Sequence, residues 1–107
     1  LQLLVDGTPV YFMVDTGASQ IVLSQADAVR VGVDLEDLNY FGRAQTANGE
    51  VRTAPVKLGE TVLGPFRDQA VSAWINEGEM EQSLLGMQYI QRFSSFAISD
   101  GRLILSR

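Results

Sequence analysis

Neither cysteine nor histidine occurs anywhere in these 107 residues, and that double absence removes much of nucleophilic enzymology. Ser-His-Asp and Cys-His systems lose their base. Zinc sites built on imidazole or thiolate go with them. Acid–base chemistry is left to carboxylates, to Lys57, or to Tyr11, Tyr40 and Tyr89. Basic residues are scarce and scattered: eight Lys and Arg stand against thirteen Asp and Glu, a formal net charge of −5. A sequence-independent nucleic-acid surface needs a basic face, so no nucleic-acid partner is expected. No run is long and apolar enough to cross a membrane as a helix, so no membrane contact is expected within this stretch.

What is present suffices for a packed core. Hydrophobic residues make up 46% and charged residues 20%, which needs neither disulfide nor metal to fold. The length predicts one domain over 1–107. No repeat, linker or low-complexity segment interrupts it. Leu1 in place of an initiator Met, with strand-like residues from the outset, predicts a piece of a longer or processed chain, any signal or anchor lying upstream.

Read along the chain, the pattern is mostly β with about two short helices. Leu1–Val5 and Val10–Val14 flank Asp6-Gly7 as a hairpin. Ile21–Leu23 is a short strand, and Ser24 caps a helix running to Val31 with Gly32 at its stop. Asp34–Asn39 is polar punctuation. A second hairpin spans Tyr40–Val56 and turns at Asn48-Gly49. Thr61–Leu63 and Phe66–Ile75 are further strands. Glu77–Glu81 is an acidic loop, a helix follows from Met87 to Phe93, and Phe96–Ser99 with Leu103–Leu105 closes the chain as a hairpin.

One segment carries legible chemistry: Phe12-Met13-Val14-Asp15-Thr16-Gly17-Ala18. A carboxylate just after an apolar strand sits at the edge of a core, where desolvation can tune it. Gly17 lets the backbone turn tightly and aim amides at that carboxylate. Thr16 can bury its hydroxyl only with a partner, which makes it a clamp candidate between facing loops. The plain alternative is that Asp15 is a turn residue. Glu77, Glu79 and Glu81 read as a solvated loop, since hard-cation sites need a compact cage; no metal site is expected. Asp6 and Asp100, each before Gly, read as hairpin turns.

Val14-Asp15-Thr16-Gly17-Ala18 resembles the active-site motif of retropepsin-like aspartic proteases. Leu84-Leu85-Gly86 is similar to that family's second signature, packed behind the active-site loop. Thr46-Ala47-Asn48-Gly49 stands where the family has its flap, and with Leu84–Met87 it resembles the bacterial branch. P-type ATPases share Asp-Thr-Gly, but in a large multidomain chain that 107 residues cannot hold. The resemblance implies a retropepsin-like fold, mostly β, a closed β-barrel-like half with one or two short helices, working as a homodimer. Asp15 would be the catalytic carboxylate, with Thr16, Gly17 and Ala18 supporting its loop.

The implied chemistry needs two carboxylates sharing one proton, since like charges about 3 Å apart cannot both ionise. One Asp-Thr-Gly in one short chain predicts that the second is Asp15 of an identical chain, on a two-fold axis. No cofactor is implied. The substrate would be an extended peptide or protein segment added as a strand beneath the flap. Ser19, Gln20, Ile21, Val22, Ala47, Trp74 and Ile75 are the subsite candidates, with cleavage between hydrophobic residues expected. The resemblance also suggests a membrane-anchored bacterial protein with its protease domain on the periplasmic side, or a processed soluble form.

Three positions depart from the retroviral pattern. Ser19 and Gln20 stand where acidic residues hold the substrate main chain, and Met87 stands where Arg braces the dimer. The losses agree with each other, because a buried Arg without its carboxylate is costly. Ala18 lacks the hydroxyl of pepsin-like enzymes, and one fewer hydrogen bond to the carboxylates predicts an optimum that is only mildly acidic. A different class of function stays open at this point: a retropepsin-fold module for dimerisation or peptide binding without turnover. So does a peptidase released by removal of an upstream segment.

Overall fold

The structure is a computed structural model that describes residues 1–46 and 49–107. Nine strands and two short α-helices follow one another: β1 (Gln2–Val5), β2 (Thr8–Val14), β3 (Ile21–Leu23), α1 (Gln25–Arg30), β4 (Gly42–Thr46), β5 (Gly49–Leu63), β6 (Phe66–Asn76), β7 (Ser83–Leu85), α2 (Met87–Ile90), β8 (Ser95–Ser99) and β9 (Arg102–Ser106). Six strands close a ring in the order β1-β2-β7-β3-β6-β5, with β5 returning to β1 through Leu4↔Val62 and Val5↔Thr61. Closure removes the free edges that would otherwise template aggregation. β4 lies outside the ring, paired only with the first part of β5, from Gly42↔Thr53 to Thr46↔Gly49.

Alternation fixes which side chains fill the barrel. Leu3 and Val5 from β1, Val10 and Phe12 from β2, Leu23, Ile75 and Leu85 are all at most 1% exposed. Each such side chain removed from water contributes about 1.5–3 kcal/mol before the entropy of ordering is set against it. Tyr89 and Phe93 close one end, packed edge-on to each other with Phe66 beside Phe93. Phe96, Leu103 and Leu105 lay one face of the β8–β9 hairpin on this core.

Two helices follow different rules of termination. Ser24 caps α1 as its sequence position predicts, its Oγ accepting from Asp27 N at 3.1 Å, and Gly32 leaves it at φ +92°. α2 is one turn rather than the expected run to Phe93. Beyond Ile90 the chain tightens, Arg92 N donating to Tyr89 O and Phe93 N to Ile90 O, because Phe93 must swing inward to its aromatic neighbours. The polar stretch after α1 holds a 3-10 turn, Leu35–Asp37, capped by Asp34.

The largest departure from expectation is β5. Strands ending at Val56 and restarting at Thr61 are in fact one 15-residue strand. Gly59 keeps it continuous: a Cβ there would lie 2.3 Å from Asp6 Oδ1, and that carboxylate instead accepts Glu60 N at 2.8 Å. A residue that reads as a strand breaker is here the point where the β1–β2 turn docks on the sheet.

Candidate active site

Asp15 follows β2 directly, and its loop is held from below by β7. That strand is inserted between β2 and β3, parallel to the first (Val14↔Leu85) and antiparallel to the second (Val22↔Leu84). The chain that leaves β2 and returns as β3 must therefore arch over β7's end. Four backbone bonds fix the arch: Asp15 N to Leu85 O at 3.0 Å, Ala18 N to Asp15 O at 3.1 Å, and Met87 N to Ala18 O and Gln88 N to Ser19 O at 2.9 Å each. Gly86 sits at the crossing. A Cβ on it would meet Gln20 O at 2.2 Å, Gln20 N at 2.7 Å and Ala18 O at 2.8 Å.

Asp15 itself is half-buried, and Gly17 N donates to its Oδ1 at 2.9 Å. A hydrogen bond from an amide to a carboxylate orients the group. Thr16 is exposed on the outer side of the same loop.

Asp15, Gly17, Ala18, Ser19, Gln20, Val22 and Trp74 face one open cleft of about 1920 Å³. Its floor is a row of apolar side chains set by strand register. Trp74 lies opposite Val22, Val22 opposite Leu84, and Leu84 opposite Met13. Directly paired residues share a face, so four strands contribute one stripe beside Asp15. Its opposite wall comes from the β4–β5 hairpin, through Gly42 to Gln45 and Val51. Gly42 crosses Trp74 closely, a Cβ there coming within 2.7 Å of Trp74 Cζ3, and Phe41 meets the indole edge-on at 6.1 Å.

Several expected residues take other places. Ile21 is 2% exposed and Ile75 is fully buried; both face the core, because alternation gives the cleft Val22 and Trp74 instead. Leu84 is not only packing behind the loop but part of the cleft floor, while Leu85 is core. Of the flap candidates, Thr46 and Gly49 pair at the end of β4–β5 and Gly49 has φ +108°; Ala47 and Asn48 lie outside the described residues. The acidic loop read as plain surface runs along the cleft, with Glu77 bound bidentately by Arg52 at 2.9 Å twice.

A polar network went unread in the sequence. Ser83, fully buried, accepts from Ser24 N at 3.0 Å and donates to Asp27 Oδ2 at 2.6 Å. Arg30 continues it, reaching Asp27 at 3.2 Å and Pro9 O at 2.8 Å. A hydroxyl opening an apolar run, in Ser83-Leu84-Leu85, was the only signal. The network ties α1 to the strands that carry Asp15.

Comparison with known proteins agrees with this arrangement. Residues 1–92 match the family described as "gag-polyprotein putative aspartyl protease". The chain belongs to this family. A retropepsin-like aspartic protease from Rickettsia conorii superposes on it with a TM-score of 0.86 at 39% identity, over 98% of this chain and 79% of that one. The chain is also 41% identical over 103 residues to an uncharacterised protein of Rickettsia prowazekii, and 41% over 87 residues to one from the cobV 5′ region of Sinorhizobium. It spans 44% and 37% of those relatives' lengths, less than half of each. At 18% identity, EIAV protease gives a TM-score of 0.72 over 86% of this chain and 84% of its own, which speaks for the retropepsin-like fold alone.

Proposed function

We propose that this retropepsin-like chain is half of an aspartic endopeptidase, in which Asp15 from two identical chains forms the water-activating pair. The observation that carries the reading is the clamped, half-exposed Asp15 loop at the edge of an open cleft with an apolar floor. One carboxylate takes a proton from the attacking water while its protonated twin polarises the scissile carbonyl. Gly17 N supports the carboxylate's orientation, and the exposed Thr16 hydroxyl is available to the loop that faces it. Of the other carboxylates lining the cleft, Asp27 is bound to Ser83 and Arg30 and Glu77 to Arg52, while Glu79 and Glu81 stand on the acidic loop that follows β6.

The substrate of this reading is an extended peptide laid along the Trp74–Val22–Leu84–Met13 stripe, which favours hydrophobic side chains next to the cleaved bond. The β4–β5 hairpin closes over it. A dimer also accounts for the exposed isoleucines of β8–β9. Ile104 on the outer face and Ile98 near the turn on the other face are 53% and 63% exposed, on a two-stranded sheet with no third strand among the described residues.

Replacement of Asp15 by Asn tests the proposal, using purified protein, a peptide library and sedimentation. Cleavage should vanish while the dimer persists. Cleavage that survives the substitution, or full activity from a strict monomer, would overturn it. The pH–rate profile should peak in mildly acidic solution, as Ala18 leads one to expect.

A further inference from the structure

The cleft does not end at Trp74. Trp74 and Gln20 each line both the cleft and a second hollow of about 350 Å³ on their far side. Lys57, Ser72 and Gln88 form most of its polar wall. Lys57 Nζ donates to Ser72 Oγ at 2.7 Å. Arg30, Arg43, Arg52, Arg67, Arg92 and Arg107 are all engaged with Asp or Glu partners. Lys57 has no such partner among the described residues, and no Asp or Glu lines the hollow. In a chain of net charge −5, this is a local site of opposite sign. The ammonium, two side-chain amides and a hydroxyl around it are all able to donate.

Its position relative to the cleft follows from register. Pro55 lies opposite Trp74, and Lys57 opposite Ser72, two residues further along the same two strands. Residues i and i+2 share a face and stand roughly 6.5–7 Å apart. An extended peptide has the same repeat. The hollow thus lies about one such step from Trp74, at the end of the apolar stripe and within reach of a substrate residue beyond the one resting on the indole. Gly86 fixes the backbone of Gln20 at the border between the two spaces.

We propose that this hollow is an outlying specificity subsite for a carboxylate side chain, Glu or Asp, of the peptide substrate, with Lys57 as the selecting residue. The inference rests on the peptidase reading given above. A two-fold dimer carries two such subsites, one toward each end of the peptide, so acidic residues on both flanks of the cleaved bond are favoured.

The test uses peptides blocked at both ends, so that only side chains supply charge, with Glu, Gln or Lys placed in turn at each position around a hydrophobic cleavage site. For wild type, one position on each flank should prefer Glu over Gln by about three- to five-fold in kcat/KM, through KM, as expected of a solvent-exposed ion pair. The preference should shrink with added salt. Lys57→Met should level it, Lys57→Glu should turn it toward Lys, and Lys57→Arg should restore it. A Glu preference that survives in Lys57→Met, or the lack of any Glu preference in a wild type that cleaves the Gln peptides, overturns the subsite and leaves the peptidase standing. A wild type that cleaves none of the peptides overturns both.

Discussion

Gly86 has room for a hydrogen and nothing larger. The atoms a methyl group would strike are backbone of Gln20 and Ala18, which cannot rotate aside as a flexible side chain would. Gly86→Ala should therefore cost about 1–3 kcal/mol of overpacking, and it should displace the Asp15 loop, so that activity falls further than stability. Urea unfolding beside peptide cleavage checks both. Tyr89 makes the opposite case. Burial, helped by the negative charge of Asp68, pushes its hydroxyl up to about 12, and that hydroxyl finds no hydrogen-bonding partner among the described residues. Tyr89→Phe should cost no more than about 1 kcal/mol, since it removes a desolvated group without breaking a bond. At this scale the sequence was readable wherever chemistry is local. Ser24 as a cap and Gly17 beneath its carboxylate are decided within three residues. Ile21 could not be separated from Val22 in that way, because a three-residue strand shows no inside until its neighbours are known.

Elements are held together by groups far apart in sequence. Ser83 joins β7 to α1 through residues 24 and 27, and Ser83→Ala strands both a buried amide and a carboxylate oxygen. A loss of about 1–3 kcal/mol is expected in chemical denaturation. The β8–β9 hairpin is latched by Arg107, which meets Asp68 at 2.9 and 2.5 Å and lies over the rings of Phe93 and Phe66. The hydrogen bond from Arg107 is the main reason the Asp68 carboxyl is held below its ordinary 3.8, against the opposing effect of burial, with the charges of Arg107 and Arg92 adding to it. A depressed folded value means stability that is complete above the unfolded value and lost as the pH falls through the folded one. The destabilisation caused by Asp68→Asn at neutral pH should accordingly dwindle below about pH 3.8, which thermal melts across a pH series will register. Hairpins were legible from their turn dipeptides; the unbroken β5 was not. Gly59 reads as a gap until Asp6 is brought against it.

For the molecule as a whole, three short motifs in order were enough to name the fold, two of them, Val14–Ala18 and Leu84–Gly86, adjoining strands whose place the ring closure dictates. The dimer remains the prediction with the widest reach. Ile98→Glu with Ile104→Glu puts charge on the two exposed isoleucines of the hairpin, one on each face and both more than half exposed, so the monomer should still fold. Ultracentrifugation should then find a folded monomer, and cleavage should fall with it, because each half brings a single Asp15. If the double variant stays dimeric and active, the two-fold contact lies elsewhere on the surface.

The insertion of β7 between β2 and β3 has a consequence in time as well as in space. Asp15 is synthesised well before the residues that clamp its loop, Leu85, Gly86, Met87 and Gln88, which follow some seventy positions later. Pairings that span so much chain close slowly, because the loop entropy must be met before the contact returns anything. A ribosome has delivered most of this chain before the carboxylate loop can acquire its clamps. In the peptidase proposed above, the carboxylate loop therefore takes its working form only once residues 85–88 have followed it.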